Sequence, residues 1–477
     1  VQNSGTTEQN RWPAFIVCIA VAIATILDLV KVNVALSPIE HTLGAGTSEA
    51  QLIVAGYILA FGILLVPMGR LGDIWNRKAM FVIGLSIYVF ASACCMLAAE
   101  PWQLVAARFV QGTAAGVLMP QVIGLIQNLF QGPERGAAFG IFGASIGLGT
   151  AFGPTIGGLL IATFGEEWGW RWIFGMNVPL GLLLLPFAIW LLPGRQRHQG
   201  GTELDLPGVV LMAATVLFTM LPFVLTSGGA DDNPARWWLL VGGAASAIAF
   251  WLWERRYVAA GKSPVIDFRL FKHPSYRWGV IITTLYFAMM PPMFLVMTLY
   301  NQEGLGHAPV VVGMITIPFA VVSAIVSGAV GRFTFKYAAP MVLLGIGIFA
   351  VALVGMVIAG EYAPAESMPW IMAIVLGFGG VGAGMVMPAN QMRTVKDVPL
   401  ESAGVGGSFM QVGQRLGNAM GIAIATSVFF SIAVGGGVDH YRSAYLWSMV
   451  FVLGVAITAV GFALLDFFAH RRSAGAR

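Results

Sequence analysis

The chain has 477 residues, 57% of them hydrophobic and only 10% charged, and its mean hydropathy is +0.80. That length would suit two or three soluble domains, but apolar stretches of about 20 residues, enough to cross a bilayer as a helix, recur throughout and exclude that reading. The net charge of +4 follows from the loop charges of a membrane protein, so no nucleic-acid partner is expected.

In chain order the predicted helices cover about 13–36, 50–69, 79–98, 102–129, 136–163, 170–192, 207–226, 236–256, 276–301, 309–331, 338–360, 367–392, 402–433 and 441–469. The chain therefore reads as an all-α polytopic membrane protein with fourteen transmembrane helices. They divide into a six-helix bundle over 13–192, linkers with two extra helices over 193–275, and a second six-helix bundle over 276–470. The first apolar segment starts near Pro13 and is too long for a cleavable signal peptide. With no initial Met, a trimmed or processed start is expected. Cys18, Cys94 and Cys95 all fall in apolar segments, so neither a disulfide nor a metal site is expected.

Loop charges set the orientation. Twenty of the 26 Lys and Arg residues fall on one set of ends and loops. These include Arg11, Arg70, Arg77, Lys78, Arg135, Arg195, Arg197, Arg332, Lys336, Arg393 and Arg477. The alternate loops hold only Arg171, Arg236 and Arg442, alongside acids such as Asp231 and Asp232. Basic loops stay in the cytoplasm, so both termini are expected there, in the cytoplasmic (inner) membrane.

Four stretches carry recognisable motifs. The loop after the second helix reads Gly69-Arg70-Leu71-Gly72-Asp73-Ile74-Trp75-Asn76-Arg77-Lys78. It resembles the cytoplasmic signature G-x-L-a-D-r-x-G-r-K of the major facilitator superfamily, with Asn76 in place of the last glycine. Arg108-Phe109-Val110-Gln111-Gly112 resembles the R-x-x-Q-G motif of that superfamily's fourth helix. The fifth helix carries Gly149 and then Gly153-Pro154-Thr155-Ile156-Gly157-Gly158, which resembles its antiporter motif. Trp170-Arg171-Trp172-Ile173-Phe174 with Asn177, Pro179 and Gly181, together with Asp28 through Leu36 in the first helix, resembles the fourteen-helix drug:proton antiporter branch. The resemblance implies the major facilitator fold, alternating access and proton-driven export. It implies a cytoplasmic gate at Gly69, Asp73 and Arg77, to which Glu134 and Arg135 are added as candidates.

The charges inside the spans are the candidate engine. Ionisable groups in hydrocarbon are costly, and by default they mark function. Asp28 and Lys31 lie one helical turn apart on one face. They read either as a static ion pair or as a proton switch. Asp28 lies about 12 Å and Arg108 about 9 Å below the same face, so the two can meet if their helices pack together. Arg108 is alternatively a clamp on backbone carbonyls of the fifth helix. Arg415 lies in the middle of the thirteenth helix. Three cations against the lone carboxylate of Asp28 leave a formal interior charge of +2, which admits neutral, zwitterionic or anionic cargo. Asn33, Tyr57, Tyr286, Met290, Asn390, Gln411 and Arg415 are the substrate-binding candidates. Pro291–Pro292 is expected to break the ninth helix.

All six histidines fall in loops or at helix ends, which leaves no histidine relay. Gly261-Lys262-Ser263 lacks the phosphate-loop glycine, because Arg256 holds that place. The chain is therefore expected not to be an enzyme and to need no cofactor beyond a proton gradient. Its expected partners are protons, the bilayer and a small amphipathic substrate, and it is expected to work as a monomer. The leading expectation is proton-coupled efflux of drugs or amphipathic compounds. The alternative is an exporter or flippase of an endogenous lipid or organic anion.

Overall fold

The computed structural model describes residues 11–194, 205–226, 233–262, 264–266, 268–396, 398–399, 403–434 and 436–475. Arg195, Arg197, Asp231, Asp232, Ser263 and Arg477, and with them most of the first linker, lie outside the described residues.

Hydrocarbon offers the backbone no hydrogen-bond partner, so spanning segments must satisfy themselves as helices. The helices are α1 (Arg11–Leu43), α2 (Thr47–Ile74), α3 (Arg77–Leu97), α4 (Pro101–Leu129), α5 (Gly132–Gly175), α6 (Asn177–Leu191), α7 (Leu206–Val224) and α8 (Leu239–Ala259). They continue as α9 (Pro274–Leu299), α10 (Pro309–Gly331), α11 (Thr334–Tyr362), α12 (Met368–Val395), α13 (Ala403–Ala433) and α14 (Val438–Gly475).

Thirteen helical runs among the described residues are long and apolar enough to cross a membrane, and one of them, Gly132–Leu191, has 60 residues. Straight, it would be about 90 Å long, roughly three times the hydrocarbon thickness. It doubles back at Gly165, where φ is 77° and ψ is 175°. A Cβ on Gly169 would lie 2.5 Å from the Cα of Ile161, although residues eight apart in a straight helix are about 12 Å apart. The fifth crossing thus ends at 164, and residues 166–175 begin the sixth, which α6 continues. The Gly165 conformation is nearly restricted to glycine, so Gly165→Ala should cost about 1–3 kcal/mol. A lower melting temperature of the purified protein would show it.

Two expectations need correcting. The first two helices run past their predicted ends, to Leu43 and Ile74. Nor does the proline pair break the ninth helix, because α9 is continuous through Pro291 and Pro292. Two prolines remove two backbone donors, whereas a break in lipid would strand many more groups. Asn76 has an extended backbone (φ −167°), and its side chain accepts from the Ala79 N–H at 3.2 Å, capping α3. A residue in that conformation needs no glycine, which accounts for the departure from the motif.

Arg77, Arg135, Lys336 and Arg393 lie at helix ends that converge on one end of the molecule, called here the basic end. The α1–α6 and α9–α14 halves meet there. A Cβ on Gly140 would touch the Ser327 carbonyl at 2.8 Å, one on Gly136 the Gly331 carbonyl at 2.7 Å, and one on Gly407 the Ile123 side chain at 2.5 Å. The larger apolar cluster follows this closure. It runs from Phe15 and Phe61 through Ile123 to Tyr276, Met392, Val405 and Met410. The second cluster fills the α9–α14 half around Tyr286, Phe349 and Met449. The inserted α7 packs on α2, with the Met220 sulfur where a Cβ of Gly62 would stand. Asp205 caps α7 through the Gly208 N–H at 3.0 Å and accepts from Trp253 of α8 at 2.9 Å.

Candidate functional site

Asp28 and Lys31 sit on adjacent turns of α1, both fully buried, with Lys31 Nζ 2.6 Å from Asp28 Oδ1. Isolated, either charge would be prohibitively expensive there, so the surroundings must supply partners. Asn177, the first residue of α6, closes a triangle. Its Nδ2 donates to both carboxylate oxygens at 2.9 and 3.0 Å, and its Oδ1 accepts from Lys31 at 3.1 Å. From α4, Gln111 Nε2 donates to Asp28 Oδ2 at 2.7 Å and to Ser92 Oγ at 2.8 Å. From α3, the Tyr88 hydroxyl donates to Asp28 Oδ2, with the Ala24 carbonyl also in reach. One carboxylate thus faces donors from four helices.

Arg108 reaches this cluster at one remove. Its Nη1 donates to Gln111 Oε1 at 2.7 Å, so Gln111 stands between the guanidinium and Asp28. Its Nε donates to the Ile53 carbonyl at 3.0 Å. The carbonyl it clamps therefore belongs to α2 and not, as the alternative expected, to the fifth helix. Charged planes stack well on aromatic faces, and the guanidinium lies 4.2 Å from the Tyr57 ring centre. Tyr57 in turn donates to the Thr25 carbonyl at 3.0 Å.

The glycines of α5 form the wall behind the pair. A Cβ on Gly153 would stand 3.0 Å from Val30 Cβ, one on Gly157 3.1 Å from the Lys31 carbonyl, and one on Gly149 3.7 Å from Ile26. Pro154 is exposed, and Gly158 has nothing within 4 Å of its Cβ position.

At the basic end Gly69 is buried in α2. Asp73 Oδ1 binds Arg77 Nη2 at 2.6 Å, and its Oδ2 accepts the Val405 N–H at 3.0 Å. Val405 lies in the first turn of α13, where the free N–H groups and the dipole attract an anion. Asp73 therefore ties the two halves together. Glu134 and Arg135 do not join it. Glu134 pairs with Arg11 at 2.9 Å, and Arg135 donates to the Phe130 and Gln127 carbonyls at the end of α4. Replacing Asp73 by Asn removes the charge from both contacts and should weaken closure by about 1 kcal/mol, roughly a fivefold change in population. Alkylation of a cysteine placed at buried Ser408 should quicken accordingly, read in a Cys94→Ser background.

The Major Facilitator Superfamily profile matches residues 14–422. The chain belongs to that superfamily. It is 34% identical over 432 residues to a probable actinorhodin transporter of Streptomyces coelicolor, covering 89% of this chain and 73% of the relative. It is 30% identical over 470 residues to the puromycin resistance protein pur8 of Streptomyces alboniger, covering 95% and 91%. It is 31% identical over 440 residues to the cephamycin export protein CmcT of Amycolatopsis lactamdurans, covering 91% and 88%. The fold matches the crystal structure of the human organic anion transporter MFSD10 with a TM-score of 0.63 at 14% identity, covering 96% of this chain and 99% of that one. The protein is a multi-pass membrane transporter, and its relatives point to efflux.

Within this transporter the seven substrate-binding candidates scatter. Asn33 is exposed on α1 and Met290 is half-buried on α9. Tyr57 is committed to Arg108. Tyr286 is buried beside Phe287 and Phe349. Asn390 donates to the Gly279 carbonyl at 2.9 Å and to Thr283 Oγ1 at 2.6 Å. Gln411 and Arg415 share one face of α13, and the Arg415 guanidinium lies 4.3 Å from the Phe61 ring centre.

Sequence reasoning named no role for Tyr88, Ser92, Gln111 or Asn177. Gln111 and Asn177 lay inside quoted motifs, and Gln111 is one turn from Arg108, which was signal enough to pair them. Tyr88 and Ser92 sit in an unremarkable apolar run.

Proposed function

We propose that the chain exports amphipathic compounds from the cytoplasm in exchange for protons. The observation that carries this reading is the sealed Asp28 cluster. The other buried carboxylates among the described residues, Asp73, Asp205, Glu254 and Asp466, lie at or toward helix ends. Asp28 alone lies mid-helix, with Lys31 and Arg108 as its cationic neighbours. Its oxygens accept from Lys31, Asn177, Gln111 and Tyr88. A proton on that carboxylate turns an acceptor into a donor and displaces at least one of them, so occupancy and packing of α1 change together. The relatives' names, a resistance protein and an antibiotic export protein, agree with outward movement of cargo.

The cycle follows from the two ends. The basic end, assigned to the cytoplasm by its Lys and Arg, is closed by Asp73 and the helix–helix contacts of α5 with α10. With that end closed, we take the structure as the outward-facing form. A proton from outside binds Asp28, the halves rock, and the basic end opens. The proton leaves to the cytoplasm as cargo loads, and the loaded form returns outward. Lys31 competes with the proton for the carboxylate, and Arg108 holds Gln111 in place.

Purified protein in vesicles with a trapped pH dye tests this. Adding a transported amphiphile to vesicles that carry a pH gradient should move protons against the cargo. Accumulation that survives collapse of the gradient by an ionophore would overturn the reading.

A further inference from the structure

Among the described residues, three of the four buried cations are answered by protein oxygens. Lys31 has Asp28, Arg393 has Asp466, and Arg108 has Gln111 and the Ile53 carbonyl, with its Nη2 left over. Arg415 differs. It is 7% exposed, its Nε has no acceptor among the described residues, and its guanidinium lies over the face of Phe61. One turn before it, Gln411 is 2% exposed, and neither its amide oxygen nor its nitrogen has a partner among the described residues. One turn after it, the Asn418 oxygen also has no partner among the described residues. Positions 411, 415 and 418 fall on one helix face. Buried polar groups are almost always hydrogen-bonded, so three on one face with free donors and acceptors suit that face to a polar group from outside the chain.

We propose that Arg415 and Gln411 bind the anionic group of the transported compound, which makes the cargo an amphipathic organic anion. This rests on the export reading and names its substrate class. A guanidinium matches a carboxylate or another flat oxyanion, offering two parallel donors. Gln411 adds a donor for the same group and an acceptor for a neighbouring hydroxyl or amide. A cationic cargo would meet the opposite. Among the described residues, Glu303, Glu361, Glu366, Asp439 and Asp466 of the second half all lie toward helix ends and loops, away from the positive charges at mid-depth.

Place supports chemistry. Phe61 belongs to α2 and Arg415 to α13, so the guanidinium lies on the seam between the halves. When the seam parts at the basic end, Phe61 withdraws and the stripe is uncovered on the side from which an exported compound loads. When it closes, the ring replaces the anion and cargo is released. Phe61 packs edge-on against Tyr57, with ring centres 5.9 Å apart, and Tyr57 faces Arg108. Two rings thus separate the anion site from the guanidinium that holds Gln111 against Asp28. Anion arrival and the proton cluster share these side chains.

The test uses one fluorophore with three charges: dansylglycine, its methyl ester, and dansylcadaverine. Binding to the purified full chain is read from the rise in dansyl emission, with no proton gradient. The acid should bind about tenfold or more tighter than the ester or the amine. Arg415→Gln should remove most of that preference by weakening the acid. Gln411→Leu should weaken acid binding alone, and Arg415→Lys should keep part of it. Equal affinity for acid and ester in the wild type, no saturable binding of the acid, or an unchanged preference in Arg415→Gln would overturn the proposal and leave a stripe that holds water only. The wild-type ratio and the Arg415→Lys variant decide the matter even if Arg415→Gln does not fold. Failure of proton coupling leaves this binding result standing. Proton movement driven by dansylcadaverine without acid binding would sink the anion site and spare the coupling.

Discussion

Asp28→Asn is expected to reduce pH-driven accumulation of cargo to the level of protein-free vesicles while preserving exchange of labelled for unlabelled cargo at equal pH. The argument is one of linkage. If cargo and proton compete through one cluster, each lowers the other's affinity by the same factor, and removing the titrating group removes that factor entirely. Asn keeps the size of Asp and leaves Asn177 able to accept from Lys31, as it already does at 3.1 Å. Exchange needs only the two-way rocking of the halves, whose contacts at Asp73, Gly136, Gly140 and Gly407 lie far along the helices from Asp28. A variant that still accumulates cargo against a pH gradient would show that the carboxylate is structural and that the coupling proton rides elsewhere. A variant that loses exchange as well would place Asp28 in the rocking motion itself.

Hydropathy revealed the spans because crossing a bilayer demands length and an apolar surface, and both are local properties of the chain. It also predicted the fifth and sixth helices as separate, although a continuous helical run covers them, since Gly165 sits between two apolar stretches each of spanning length. Helix ends were less legible. The apolar pattern of α1 fades near Leu36, yet the helix continues to Leu43 through Pro38. Asp28, Lys31, Arg108 and Arg415 stood out because charge is scarce in hydrocarbon. Their partners did not. Tyr88, Gln111 and Asn177 are neutral residues on three different helices, and only the packing of α1 against α3, α4 and α6 gives them a common target. The expected meeting of Asp28 with Arg108 was close in geometry but missed the amide between them. Glu134 and Arg135 were added to the expected gate as candidates, whereas the contact that ties the halves is Asp73 reaching across to the Val405 N–H in the first turn of α13.

The Lys31→Met variant is expected to be less stable than Asp28→Asn combined with Lys31→Met. Removing the ammonium alone leaves a fully buried carboxylate facing only neutral donors, Asn177, Gln111 and Tyr88. Breaking one side of a buried pair typically costs about 3–5 kcal/mol, whereas replacing both sides by groups of similar volume is often neutral. Melting temperatures of the purified wild type, the single variant and the double variant measure the difference directly, with the double variant returning near the wild-type value. An unchanged melting temperature for Lys31→Met would mean that Arg108, through Gln111, already compensates the carboxylate. The same three proteins separate the two readings of the pair. A static ion pair exists to reduce the cost of burial, so a double variant that is stable and still moves protons against cargo would leave Asp28 and Lys31 with that role alone. A double variant that is stable, exchanges cargo and has lost proton movement would show that the pair is kept for coupling, since its stability is then obtainable without any charge at all.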